Sequence, residues 1–172
     1  EQLGTWVFDV EQANSITLKT ALENELGESL SFHPGLQTSR DQSHVQFKAV
    51  SKMAKAADLV ILALGEEAIL SGEAHCRTDI RLPGAQEALI SAVAELGTPI
   101  IAIVMAGRPL VMEAVIDKFD GLLYAWHPGS MAGPALVNVL LGNTNPSGKL
   151  PMTIPRAVGQ VPIYYGHGNT GK

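Results

Sequence analysis

The run GEEAILSGEAHCRTDIRLPG, Gly65 to Gly84, gathers Glu66, Glu67, Glu73 and Asp79 with His75, the only cysteine Cys76, and Arg77 in one stretch without a regular hydrophobic period. A carboxylic acid on such a loop can hand a proton to a leaving group when partial burial raises its pKa, so these four carboxylates are candidate acids or bases. For any single one of them, a solvated surface charge is the simpler account. His75, Cys76 and a glutamate are also a possible metal set. Their spacing matches no established ligand pattern, and adjacent side chains of an extended segment point apart, so no metal is expected. The same geometry disfavours a Cys76–His75 nucleophile pair, and Cys76 is expected to be inert. No cofactor is expected.

Two further stretches carry chemistry-bearing types. In WHPGSMAG, residues 126–133, Trp126 could present a flat apolar face to a ligand ring and His127 a hydrogen bond, with core packing of Trp126 an equal alternative. Gly129 and Gly133 read more simply as a turn and a close helix contact than as a phosphate site, since no G-x-G-x-x-G follows a strand. GHGNTGK, residues 166–172, has the spacing of a phosphate-cradling loop. That loop needs a following helix and a Ser or Thr after the lysine, so the match reads as coincidence.

These residues need elements to position them. SLSFH, LVILALG, PIIAIVMAG and GLLYAWHPG are short apolar runs bounded by Gly or Pro, the pattern of strands buried on both faces. Between them lie helical patterns: one through Val45, Ala49, Met53 and Ala56, one over Ala85–Leu96 before Gly97, and one over Pro109–Phe119 with proline at its start. A further helix is expected over Met131–Leu141 before Gly142, and an earlier one over Ser15–Leu26 before Gly27. The alternation predicts an α/β fold, a three-layer sandwich with a mostly parallel sheet flanked by helices. Because the first helix has no strand before it, the sheet is expected to lack its first strand. Residues 143–172 are rich in proline without a helical period and read as an extended tail laid over the domain or onto a neighbour.

In open parallel sheets, ligands meet the loops at the carboxyl ends of the strands. Gly65–Gly84 is such a loop and is far longer than a usual βα connection, which favours function.

The 172 residues fit one domain of ordinary size, residues 1–172. With 46% hydrophobic and 17% charged residues the chain is too apolar for disorder, and no apolar run approaches the roughly 18 residues of a membrane span, so solubility is expected and a membrane is not. A net charge of -5 without a basic stripe argues against nucleic acid. One cysteine cannot close an internal disulfide and leaves the redox compartment open. The start at Glu1, without a leader-like pattern, points to a processed chain or one cut from a longer polypeptide, and the cut is favoured.

The residues from about Ala57 to Gly171 resemble a known family. GEAHCRTDIRLP, NPSGKLPMTIPR and GQVPIYY carry the likeness to the second domain of glycoside hydrolase family 3, close to the bacterial periplasmic β-glucosidase branch. The resemblance implies retaining hydrolysis of terminal β-D-glucosides or oligosaccharides, with a periplasmic or secreted location. It also implies an N-terminal TIM-like barrel carrying an aspartate nucleophile, absent from this chain, to whose active site the long loop of the α/β domain brings the acid/base glutamate. In the motif E-A-x-x-R-x-D that glutamate falls on Glu73, followed by Arg77 and Asp79. Arg77 is expected to orient a carboxylate, line the domain junction or pair with Asp79 or another loop acid, and Arg77 and Trp126 are candidate substrate contacts. Glu66 and Glu67 are expected to fix the loop. His75 and Cys76 stand where relatives have small polar residues, and MAGRP lacks the asparagine that relatives commonly have before the glycine. Without its barrel the domain is expected to be inactive, and its uncovered apolar face to favour self-association. The alternative is a non-catalytic α/β module that binds carbohydrate or a protein partner through the same loop.

Overall fold

A computed structural model describes residues 2–7 and 14–168 of the chain. The last part of GHGNTGK therefore lies outside the described residues.

Among the described residues, three strands form one parallel sheet in the order β1-β2-β3: β1 Val60–Gly65, β2 Ile100–Met105 and β3 Gly121–Tyr124. The register sets Val60 beside Ile100 and Ile101 beside Gly121. Four α-helices of the described residues flank it: α1 Leu18–Leu26, α2 Phe47–Lys55, α3 Gln86–Ala94 and α4 Ala132–Leu140. The α/β sandwich expected from the alternation of patterns is the architecture found.

Side chains of a strand alternate between faces, so a strand covered on both sides must be apolar throughout. β2 obeys this: Ile100, Ala102 and Val104 join a cluster with Val50 and Ala54 of α2 and Leu89, Ile90 and Val93 of α3. Ile103 faces the other way, into a cluster with Leu18, Ala21 and Leu22 of α1 and Leu136 and Val137 of α4. The β1–β2 connection, through α3, and the β2–β3 connection, through Leu110, Met112 and Val115, feed the same cluster. A sheet that adds strands in one direction with one hand of crossover must place both connections on one face.

Helix ends follow local chemistry. The Thr17 hydroxyl accepts the Thr20 amide at 3.1 Å to cap α1, and Gly27 closes it at φ 52°. The Gly133 amide donates to the Ile16 carbonyl at 3.0 Å, and a Cβ at Gly133 would collide with that backbone, so this glycine does serve a close helix contact.

Two expectations fail. SLSFH forms no strand: Leu30–His33 lie outside any ladder, with Leu30 against the α1/α4 cluster and Phe32 exposed. Pro109–Phe119 is not an α-helix. The Val111 amide donates to the Ile80 carbonyl at 2.9 Å and Val111 bridges Arg81 in parallel, which commits this backbone to the Gly65–Gly84 loop. Only a short 3-10 turn, Ile116–Lys118, follows. The tail after Gly142 contains no strand or α-helix among the described residues and is largely exposed.

Candidate active-site loop

Three connections leave the carboxyl ends of the parallel strands side by side: Gly65–Gly84 after β1, the Gly107–Leu110 turn after β2, and the segment from Trp126 after β3. They pack closely. A Cβ at Gly107 would strike the Ser71 hydroxyl and the His127 ring, so only glycine lets the three connections meet there.

At the root of the loop sits Glu66, whose side chain is 0% exposed. A buried carboxylate is tolerated when it is paired and hydrogen-bonded. Arg77 Nη1 donates to Oε1 and Arg108 Nε donates to Oε2 at 3.1 Å. Arg77 also reaches the Arg81 carbonyl at 3.0 Å, and Arg108 Nη2 reaches the carbonyls of Leu70 and, at 3.0 Å, His75. The backbone of Arg108 is itself held: the Tyr124 hydroxyl donates to its carbonyl at 2.5 Å and accepts the Leu110 amide at 3.1 Å. Burial pushes the Tyr124 phenol up to about 12.

Around this centre the other loop charges are paired near the surface. Glu67 takes the Ser39 hydroxyl at 2.8 Å and Arg40 Nε at 2.9 Å, and the Arg40 guanidinium holds its carboxyl below the usual range. Arg81 clasps Asp79 at 2.5–3.1 Å and lowers it to about 2. Of the partners expected for Arg77, Glu66 takes it and Asp79 does not. Glu66 and Glu67 fix the loop, as expected of them. The Gln86 amide ties the loop's two ends, accepting the Gly65 amide at 2.9 Å and donating to the Gly65 and Pro83 carbonyls.

Glu73 is the exception among these carboxylates. It is exposed, and no ion pair engages it among the described residues. It occupies a turn closed by the His75 amide donating to the Gly72 carbonyl at 3.2 Å, with Gly72 at φ 122° and Ala74 at φ 63° on either side. A positive φ at the residue after Glu73 is a conformation an alanine adopts at a cost. The N-terminal segment braces the same turn, since the Thr5 hydroxyl lies between the Ala68 and Ser71 carbonyls.

Beside the turn opens a cleft of about 650 Å3 lined by Thr5, Trp6, Ser71, His75, Arg108 and His127, among others. The His127 Nδ1 is buried without a hydrogen-bond partner among the described residues. Trp126 does not line this cleft. It sits half-buried at φ 55° with its ring 4.5 Å from that of Tyr124. Cys76 is free and exposed, and no group of three or more metal-ligating side chains occurs among the described residues. Arg108, Tyr124 and Gln86 were not singled out by sequence reasoning. The available signal was position: each lies at the carboxyl end of a strand or directly after the loop.

Residues 1–172 match the description "Glycosyl hydrolase family 3 C-terminal domain" along the whole chain. The chain belongs to this family. The resemblance read from its motifs is thereby confirmed. A periplasmic beta-glucosidase of Salmonella typhimurium is 34% identical over 99% of this chain and 25% of that protein. A beta-xylosidase of Formosa agariphila is 34% identical over 87% of the chain and 21% of its own length. Among solved structures, a beta-glucosidase from Listeria innocua in complex with isofagomine superposes with a TM-score of 0.89 at 38% identity, covering 98% of this chain and 23% of that one. This family 3 domain thus spans about a quarter of the length of the relatives it matches. No helix among its described residues is long and apolar enough to cross a membrane.

Proposed function

We propose that this chain is the acid/base-bearing domain of a retaining β-glucosidase, in which Glu73 serves an active site completed by an N-terminal TIM-like barrel of the same polypeptide. The observation that carries the reading is the contrast within one loop. Glu66, Glu67 and Asp79 are bound to arginines, while Glu73 alone projects from a turn held on both flanks. A carboxylate that must serve a sugar held by another domain has to face outward, on a rigid support.

Retaining hydrolysis uses two carboxyl groups roughly 5 Å apart. The barrel's aspartate attacks the anomeric carbon while Glu73, as the acid, gives its proton to the glycosidic oxygen, and the alcohol leaves. Glu73, now a carboxylate, takes a proton from water as that water attacks the glycosyl-enzyme and frees the aspartate. Arg77 acts by holding the loop through Glu66. Trp126, beside the same connections but outside the cleft, is a candidate aromatic contact for a sugar ring held by the barrel. Terminal β-D-glucosides or oligosaccharides are the substrate class, and the likeness to a periplasmic beta-glucosidase supports a periplasmic or secreted location.

The test is Glu73→Ala in the full-length polypeptide. Loss of a proton donor is expected to lower kcat/KM for glucosides with poor leaving groups by about 100-fold or more and for activated aryl glucosides far less. An equal loss for both substrates contradicts proton donation.

A further inference from the structure

The turn that carries Glu73 begins and ends on backbone, and both flanks are held by one side chain from another connection. Arg108 follows β2, yet its Nη2 donates to the carbonyl of Leu70, before Glu73, and to that of His75, after it, at 3.0 Å. Its Nε meets Oε2 of the fully buried Glu66 at 3.1 Å, and its own carbonyl is fixed by the Tyr124 hydroxyl at 2.5 Å. The side chain is 19% exposed, so these bonds form largely out of water. Only a planar fork with several donors can satisfy a carboxylate and two diverging carbonyls at once, whereas a lysine offers a single point of charge.

We propose that Arg108 is a positioning residue that sets the location of the Glu73 carboxyl relative to the glycosidic oxygen, with Glu66 as its counter-charge. The inference rests on the proposed role of Glu73 as acid/base. Arg108 touches neither substrate nor reacting atoms in this account. It fixes the two ends of a turn whose Ala74 sits at φ 63°, a conformation that costs an alanine free energy and so depends on its flanks being held. A carboxyl displaced by about 1 Å from its partner oxygen loses on the order of 100-fold in rate.

The experiment compares Arg108→Lys and Arg108→Ala with wild type in the full-length polypeptide, using an alkyl β-glucoside with a poor leaving group and an activated aryl β-glucoside. Arg108→Lys keeps the charge opposite Glu66 and serves where Arg108→Ala fails to fold. The expected result is a fall in kcat/KM of about 30- to 100-fold on the alkyl glucoside and less than about 3-fold on the aryl glucoside, since kcat/KM reports the step in which the leaving group departs. On the aryl glucoside kcat and KM should fall together, because its deglycosylation still calls on Glu73 as base, and hydrogen exchange at the His75 amide should be faster. Guanidinium added to Arg108→Ala is expected to restore part of the alkyl glucoside activity. Wild-type rate ratios in Arg108→Lys, or equal losses on both substrates with unchanged exchange at His75, overturn the proposal. Glu73→Ala assayed beside it separates the two ideas. If that variant lacks leaving-group dependence the acid/base reading itself falls, and if it shows the dependence while Arg108→Lys does not, only the positioning role falls.

Discussion

Two of the stretches outside the sheet and its helices, Gly65–Gly84 and the segment after Gly142, are held in opposite ways. Gly65–Gly84 is bound inward by Glu66, Arg77, Arg108 and Gln86, with the Val111 amide pairing to Ile80. The segment after Gly142 has few such ties: Arg156 reaches Glu113 at 3.0 Å, and Gln160 accepts the Arg156 and Ala157 amides of its own turn. Its apolar side chains Leu150, Met152, Val161, Ile163, Tyr164 and Tyr165 stand exposed. The loop spends its polar groups on rigidity and leaves one carboxylate free. The tail leaves its apolar groups uncovered, as a surface made to contact something else does.

The largest effect that tests this contrast is expected from Glu66→Ala. It strands Arg77 and Arg108 without their carboxylate, and breaking a buried ion pair from one side costs about 3 kcal/mol or more. Urea unfolding followed by tryptophan fluorescence should show it, and a midpoint equal to wild type would mean that the loop is not anchored at its root. A smaller loss, about 1–2 kcal/mol, is expected for Tyr124→Phe, which leaves the Arg108 carbonyl and the Leu110 amide without their partner.

Tyr124 also gives a pH signature. Its folded value near 12 lies above the ordinary phenol value of about 10, so its contribution is complete below about pH 10 and is lost as pH rises toward 12. Tyr124→Phe should remove that alkaline decline from the stability profile, and an unchanged decline would contradict the buried, doubly bonded hydroxyl. The smallest effect is expected in the tail. Tyr165→Ser should change the unfolding midpoint by no more than about 0.5 kcal/mol within this domain, since the ring is fully exposed. A larger loss would show that the tail is part of the domain's own core and would end the comparison.

The sheet and its helices were legible because burial on both faces leaves an unmistakable mark: LVILALG, PIIAIVMAG and GLLY are strands, and the helices ending near Gly27, Gly97 and Gly142 lie where their periods place them. SLSFH misled because Leu30 and Phe32 alternate with serine as in a strand, yet only Leu30 packs inward. Pro109–Phe119 misled because Val111, Met112 and Val115 have helical spacing and are indeed buried, but the pairing of Val111 with Ile80 is a long-range bond that no local period announces. The candidate site divides the same way. Glu73 came from a motif, and the holding role of Glu66 from its place at a strand end. Arg108 was invisible, because its partners Glu66, Leu70 and His75 lie 33 to 42 residues away in sequence.

The most direct measurement is azide rescue of Glu73→Ala in the full-length polypeptide, with the product identified by NMR. Azide needs no base to attack a glycosyl-enzyme, so the account predicts a faster turnover of activated aryl glucoside and accumulation of the β-glycosyl azide. No acceleration and no azide product, or an α-glycosyl azide, would contradict Glu73 as the acid/base.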